Sequence, residues 1–287
     1  MKKKMPVIMI SGVLTALLAL STAGCSGNSN GETSTPPSPT PEEAIIENKD
    51  ISITFDVWDG GELETIACDG TYTGEIRDGV PHGEGEFVAE NESGVLWKYT
   101  GEFKDGVFDG SGELLWADGY SEIGTYVNGT YMPTPSELLV NLSKSLYVEF
   151  NVSEESQKFI EANEDIFPAV GEESIKKADG LVNHDVTYEM MSKNVSPYKN
   201  QLISFGPSNV IQVDEFERCG NTITTIICSD EEWNVYFIIY YGSLPNVFSD
   251  SVINFTALPI DKSGYENAGG GYTHAIVLAG CVVTSVE

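Results

Sequence analysis

Catalysis by a general base, a nucleophile or a metal draws on few side-chain types, and this 287-residue chain scatters them. Its three histidines, His82, His184 and His274, fall in separate stretches of sequence. No Gly-x-Ser-x-Gly elbow, His-Glu-x-x-His helix or phosphate-binding glycine loop is present. Acids are so numerous, at 44, that no pair stands out as the two carboxylates a glycosidase sets across a cleft. The Asp-Gly pairs lack the Asp-x-Asp-x-Asp-Gly clustering of a calcium loop and read as turns. The expectation is therefore no catalytic residue, no metal and no cofactor. A cell-envelope hydrolase would need a deep pocket uniting His184 or His274 with acids. Of five cysteines, Cys25 stands apart near the N-terminus. Cys68, Cys219, Cys228 and Cys281 match no zinc spacing, and they can form disulfides in three connectivities or remain as buried thiols.

The elements that must position these residues begin with a leader. Lys2, Lys3 and Lys4 precede a mostly apolar run, Val7 to Ala23, that ends in small residues before Cys25. This is the layout of a secretory signal peptide. Leu20-Ser21-Thr22-Ala23-Gly24-Cys25 resembles the lipobox of bacterial lipoproteins, with Thr22 where that family usually carries Leu. The resemblance implies cleavage before Cys25 and a diacylglycerol on its thiol. It also implies a place on the outer face of the cytoplasmic membrane, with the membrane itself as one partner. The following Ser, Gly, Asn, Thr, Pro and Glu residues bury no apolar surface and suit an extended tether. The longest later apolar run, Val235–Tyr241, has the length of a strand and is far short of the roughly 20 residues that span a bilayer.

Charge narrows the partners. The formal charge is −29, and loss of the three leader lysines leaves 12 basic against 44 acidic residues, or −32. Such a field repels nucleic acid and anionic headgroups and favours cations or basic partners. It also serves simply to keep an exported protein soluble.

An internal repeat then dominates the chain. Tyr72–Gly85 and Tyr99–Gly112 are identical at nine of fourteen positions. The first copy places Tyr72, Gly74, Gly79, Gly83 and Gly85, and the second Tyr99, Gly101, Gly106, Gly110 and Gly112. A partial third copy keeps Gly124 and Gly129. Alternation sets Tyr72, Gly74 and Ile76 on one face of a strand and Thr73, Glu75 and Arg77 on the other. Asp78-Gly79, Asp105-Gly106 and Asn128-Gly129 are tight-turn dipeptides, so each copy predicts a β-hairpin. Glycines facing aromatic residues let the rings of one hairpin lie on the backbone of the next, giving an elongated, twisted sheet. These residues resemble a MORN-repeat array covering about Ile51 to Tyr131. His82 fits the family pattern and Asp109 replaces it in the next copy. The resemblance implies scaffolding, self-association or lipid binding.

Beyond the array, Thr134-Pro135-Ser136-Glu137 reads as a capping box that opens a helix, and a second helix is predicted after Ser153. From about Asp185 the pattern turns to strands: Gln201–Phe205 and Val210–Phe216, then Thr222–Cys228, Val235–Tyr241, Val252–Leu258 and Thr273–Val283. Pro207-Ser208-Asn209 interrupts the first. Five strands with one apolar on both faces predict a small closed barrel. Ser196-Pro197-Tyr198, Val210–Val213 and the glycines before Ala275 resemble the OB-fold-like domains of secreted Gram-positive proteins. The fold class expected is mainly β: stacked hairpins, a short helical connector, then a five-stranded OB-like barrel. The boundaries read as a signal peptide over 1–24, a disordered tether over 25–50, the repeat array over 51–133, the connector over 134–184 and the barrel over 185–287. The function expected is a lipid-anchored, extracytoplasmic binding or scaffolding protein with a protein or envelope partner and no nucleic acid. The alternative is a spacer or stabiliser within an envelope complex.

Overall fold

The computed structural model describes residues 43–59, 61–91, 93–266 and 270–286. Cys25 and the segments expected to be a leader and a tether, up to residue 42, lie outside the described residues. From Glu43 onward the chain folds as one unit. Seven strands form the first half: β1 (Glu43–Asp59), β2 (Glu62–Arg77), β3 (Val80–Glu90), β4 (Leu96–Lys104), β5 (Val107–Leu115), β6 (Ser121–Val127) and β7 (Thr130–Tyr131). Each pairs antiparallel with its sequence neighbour, as a chain of hairpins must. The expected turns form: Asp78 and Gly79, Asp105 and Gly106, and Asn128 and Gly129 all adopt positive φ, the two-residue geometry that matches strand twist.

Two features depart from the sequence reading. β1 starts at Glu43, eight residues inside the segment read as a tether, and these residues pair with β2 from Glu43↔Arg77 to Asp50↔Thr71. Here β2 supplies a ladder, and Arg77 adds an ion pair to Glu43 at 3.0 Å. The sheet also closes on itself instead of extending. β1 meets β7 in a parallel pairing at Asp56↔Thr130. The closed sheet wraps a common aromatic core. That core holds Phe55, Tyr72, Phe87, Trp97, Tyr99, Phe103, Phe108, Tyr126 and Tyr131.

Four α-helices and one 3-10 turn (Ser196–Tyr198) follow, the α-helices being α1 (Pro135–Leu142), α2 (Glu154–Glu161), α3 (Glu172–Asp179) and α4 (Tyr188–Lys193). The capping box at Thr134 and Glu137 is complete, and Ser153 caps α2. Periodicity does not signal α3, whose apolar residues are Ile175 and Ala178 alone, or α4, which is six residues and under two turns long. The second barrel comprises β8 (Ile203–Arg218), β9 (Asn221–Ser229), β10 (Val235–Tyr241), β11 (Val252–Glu266) and β12 (Tyr272–Val286). Its order is β10-β12-β11-β8-β9, with β10 and β12 parallel, the Greek-key closure of an OB-type barrel. Pro207-Ser208-Asn209 does not break the first strand. β8 runs through it and changes partner there, pairing with β11 before the bend and with β9 after it. The core is mainly aliphatic, with Ile226, Ile238, Leu258, Ile276 and Leu278 fully or almost fully buried. Phe237, Tyr240, Tyr241 and Phe255 lie in this core too.

Candidate functional site

The repeat residues form a ladder of rings on glycines. Tyr72 and Tyr99 lie over Gly85 and Gly112, each on the return strand of its own hairpin, where a Cβ would come within 2.5 Å of the ring. This differs from the packing of each ring on the next hairpin that the repeat predicts. Between hairpins the contacts are ring on ring instead: Tyr72 to Phe103 at 5.0 Å and Tyr99 to Tyr126 at 5.0 Å. Tyr99 also stacks on Phe108 at 3.8 Å. Each buried phenol donates to a nearby carbonyl: Tyr72 to Glu75 at 2.6 Å, Tyr99 to Glu102 at 3.0 Å and Tyr126 to Glu122 at 3.2 Å. Burial pushes the Tyr72 hydroxyl up to about 12, so it stays a donor.

The position ahead of the second glycine pair has a structural task. His82 faces the Asp105 turn, accepting from its N–H at 3.5 Å, and Asp109 accepts from the Asn128 N–H at 2.9 Å. The neighbouring carbonyls act likewise, Pro81 accepting from Gly106 at 3.0 Å and Phe108 from Gly129 at 2.8 Å. Each hairpin thus holds the turn of the next. Gly74, Gly101 and Gly124 occupy equivalent places on β2, β4 and β6. Gly83 and Gly110 let the Glu75 and Glu102 side chains lie against the backbone; Gly74 and Gly101 face Gly85 and Gly112 of the return strand, whereas Gly124 faces the Glu137 side chain of α1.

That substitution marks how the repeat ends. Glu137 accepts from the Thr125 N–H at 3.2 Å and its hydroxyl at 3.1 Å, while Asn141, one turn on, donates to Ile123 O at 3.1 Å. Leu138, Leu139 and Leu142 of the same helix join the second barrel's core beside Ile223, Phe237 and Ile239. α1 is therefore shared by both barrels. The β8–β9 tip makes a second bridge: Cys219 is buried in the repeat core, Gly220 lies under the Trp58 ring, and Arg218 stacks over Tyr120 at 4.7 Å. Burial raises the nearby Glu122 carboxyl, opposed by a Trp116 hydrogen bond and by Arg218. Asp56 completes the closure, accepting from the Thr130 hydroxyl at 2.8 Å and the Thr65 hydroxyl at 2.6 Å.

All four described cysteines are free thiols. Burial pushes Cys219 and Cys228 up to about 12 and raises Cys281 well above the ordinary thiol range, and burial also raises Cys68, so none of the four carries the thiolate of a reactive cysteine. His184 and His274 are exposed, and among the described residues no group of three or more His, Cys, Asp or Glu is placed to hold a metal ion.

Two open clefts are the concave surfaces of interest. One, of about 740 Å³, runs over β1 to β4 between Asp50, Asp69, Glu90 and the apolar Ile51, Val88 and Leu96. The other, of about 470 Å³, lies between α4, the start of β8 and the β9–β10 turn. Tyr188, Phe205 and Tyr236 line it, together with Glu189, Asp230, Glu231 and Glu232. Phe205 stacks on Tyr236 at 5.6 Å with 27° between planes, and Tyr188 meets Tyr236 edge-on at 5.6 Å. Asp230 fixes the turn, accepting from the N–H of Glu232 at 3.1 Å and of Asn234 at 2.8 Å, and from the Asn234 amide at 2.9 Å. Sequence reasoning missed this cleft. The signal was present as Asp-Glu-Glu-Trp-Asn between two apolar strands, but its partner Tyr188 lies on a helix that periodicity did not reveal.

Comparison with protein-family models finds the MORN repeat at residues 72–93 and 99–119. Two stretches of the chain are similar to that repeat, and they contain the twin copies described above. No curated protein and no solved structure matches the chain at a significant level.

Proposed function

We propose that this chain is a lipid-anchored, extracytoplasmic scaffolding or binding protein held through Cys25 at the outer face of a bacterial cytoplasmic membrane. The observation that supports the scaffold part of this reading is the shared construction of α1, whose polar face completes the repeat barrel while its leucines enter the second barrel's core. Two barrels joined this way make a rigid platform, and a tether of low-complexity sequence would set it off the bilayer. MORN repeats and a small barrel suit such a non-catalytic role, and the strong negative charge directs it toward cationic or basic partners. The platform presents surfaces and leaves chemistry to its partners.

Replacing Cys25→Ser tests the anchor. The variant should leave the membrane fraction while β10 and β12 keep their native amide protection. A variant that stays with the membrane would exclude lipid attachment at Cys25. Crosslinking on intact cells tests the platform: one dominant protein partner supports a scaffold, and a diffuse pattern of neighbours supports a spacer.

A further inference from the structure

We propose that the cleft between α4, β8 and the β9–β10 turn binds a small organic cation carrying an alkylated ammonium group. The inference rests on the reading of the barrel as a binding module and names its ligand class. Three observations converge on it. The first is the cavity, whose volume of about 470 Å³ falls in the range of small-ligand sites. The second is its aromatic wall. Tyr188 and Phe205 are each only half-buried, and both pack on the fully buried Tyr236. Ring faces attract cations, above all weakly hydrated alkylammonium groups that need not be stripped of tightly held water.

The third observation is uncompensated charge. Glu189, Asp230, Glu231 and Glu232 line the same cleft as the rings, and none of the ion pairs formed among the described residues involves any of them. Their arrangement matches an organic cation better than a metal ion. Asp230 already spends its oxygens on the turn, on Asn234 and on the Tyr236 hydroxyl at 3.3 Å, and Glu189 accepts from Thr187 at 2.7 Å. No converging oxygen set is left for a hard divalent ion, which takes about six or more oxygen ligands. What remains is a negative rim around ring surface. Such a rim raises the local concentration of a cation without dictating its coordination.

Isothermal titration of the full-length chain in a non-ionic detergent, at fixed ionic strength, tests this with tetramethylammonium, choline and potassium as probes. Tetramethylammonium and choline should bind about tenfold or more tighter than potassium. Tyr188→Ala should weaken both by about 3- to 30-fold while Tyr188→Phe, which keeps the ring, changes them less than about threefold. Glu189→Gln combined with Glu232→Gln should lower affinity for every cation alike. Equal affinity for potassium and tetramethylammonium, or a folded Tyr188→Ala variant that binds as the parent does, would overturn the proposal. A lysine-rich peptide that binds far more tightly than either ammonium probe, and displaces them, would replace the small ligand with a basic protein partner. Membrane release of Cys25→Ser is independent of all these titrations, so failure of the ligand assignment and failure of the anchor are separately visible.

Discussion

The two barrels solve the same closure problem with opposite materials. In the repeat barrel every strand pairs with its sequence neighbour, and rings on glycines fill the centre. In the second barrel the order runs β10-β12-β11-β8-β9, and branched aliphatic residues fill the core. A barrel of local hairpins can be written as a short motif used again, because each copy needs only its neighbour. A barrel with a parallel β10–β12 pair needs contacts between distant parts of the chain, so no short stretch specifies it. The difference teaches where each is vulnerable: the first at a ring or a glycine, the second through gradual loss of packing.

The largest contrast should come from paired core substitutions. Tyr99→Ala removes a ring stacked on Phe108 and lying over Gly112, and should cost about 3–5 kcal/mol in urea denaturation. Ile238→Val, at an equally buried site in the aliphatic barrel, should cost about 0.5–1.5 kcal/mol. Equal losses would erase the distinction. Next is the bridge between barrels. Gly220 has φ +68° and sits under Trp58, so Gly220→Val adds strain and bulk costing about 1–3 kcal/mol. Amide exchange in β4 should then accelerate relative to β10; unchanged protection in both would mean that the tip does not couple them.

Asp56→Ala tests closure of the repeat barrel. Loss of its bonds to Thr65 and Thr130 should cost about 1–3 kcal/mol and expose the β1 and β7 amides to exchange. The smallest effect belongs to Glu122. Its carboxyl is raised in the folded chain, so its contribution to stability is fully present below the unfolded value of 4.5 and is lost as pH rises through the higher folded value. Glu122→Gln should therefore flatten the pH dependence above pH 4.5 and raise Tm at pH 7 by about 2 °C or less. A lower Tm at pH 7 would show that the ionised carboxylate is needed beside Arg218.

Local features were legible and distant ones were not. Asp78-Gly79, Asp105-Gly106 and Asn128-Gly129 announced their turns because two adjacent residues suffice to set positive φ. Thr134 and Glu137 announced α1 in the same way. Closure was illegible because Asp56 and Thr130 lie 74 residues apart, and neither is unusual in its own strand. The bridge was hidden for a like reason: Cys219-Gly220 reads as a hairpin turn, and nothing local says that its cysteine enters another barrel's core. The 470 Å³ cleft joins three segments and was invisible until they met.

Joined by α1 and the β8–β9 tip, the two barrels are expected to act as one platform. Differential scanning calorimetry of the full chain tests it most directly. One unfolding transition, with calorimetric and van't Hoff enthalpies equal, is the predicted result. Two separable transitions, one of them lost on Tyr99→Ala while the other is unmoved, would contradict it and return the repeat to the role of an independent spacer.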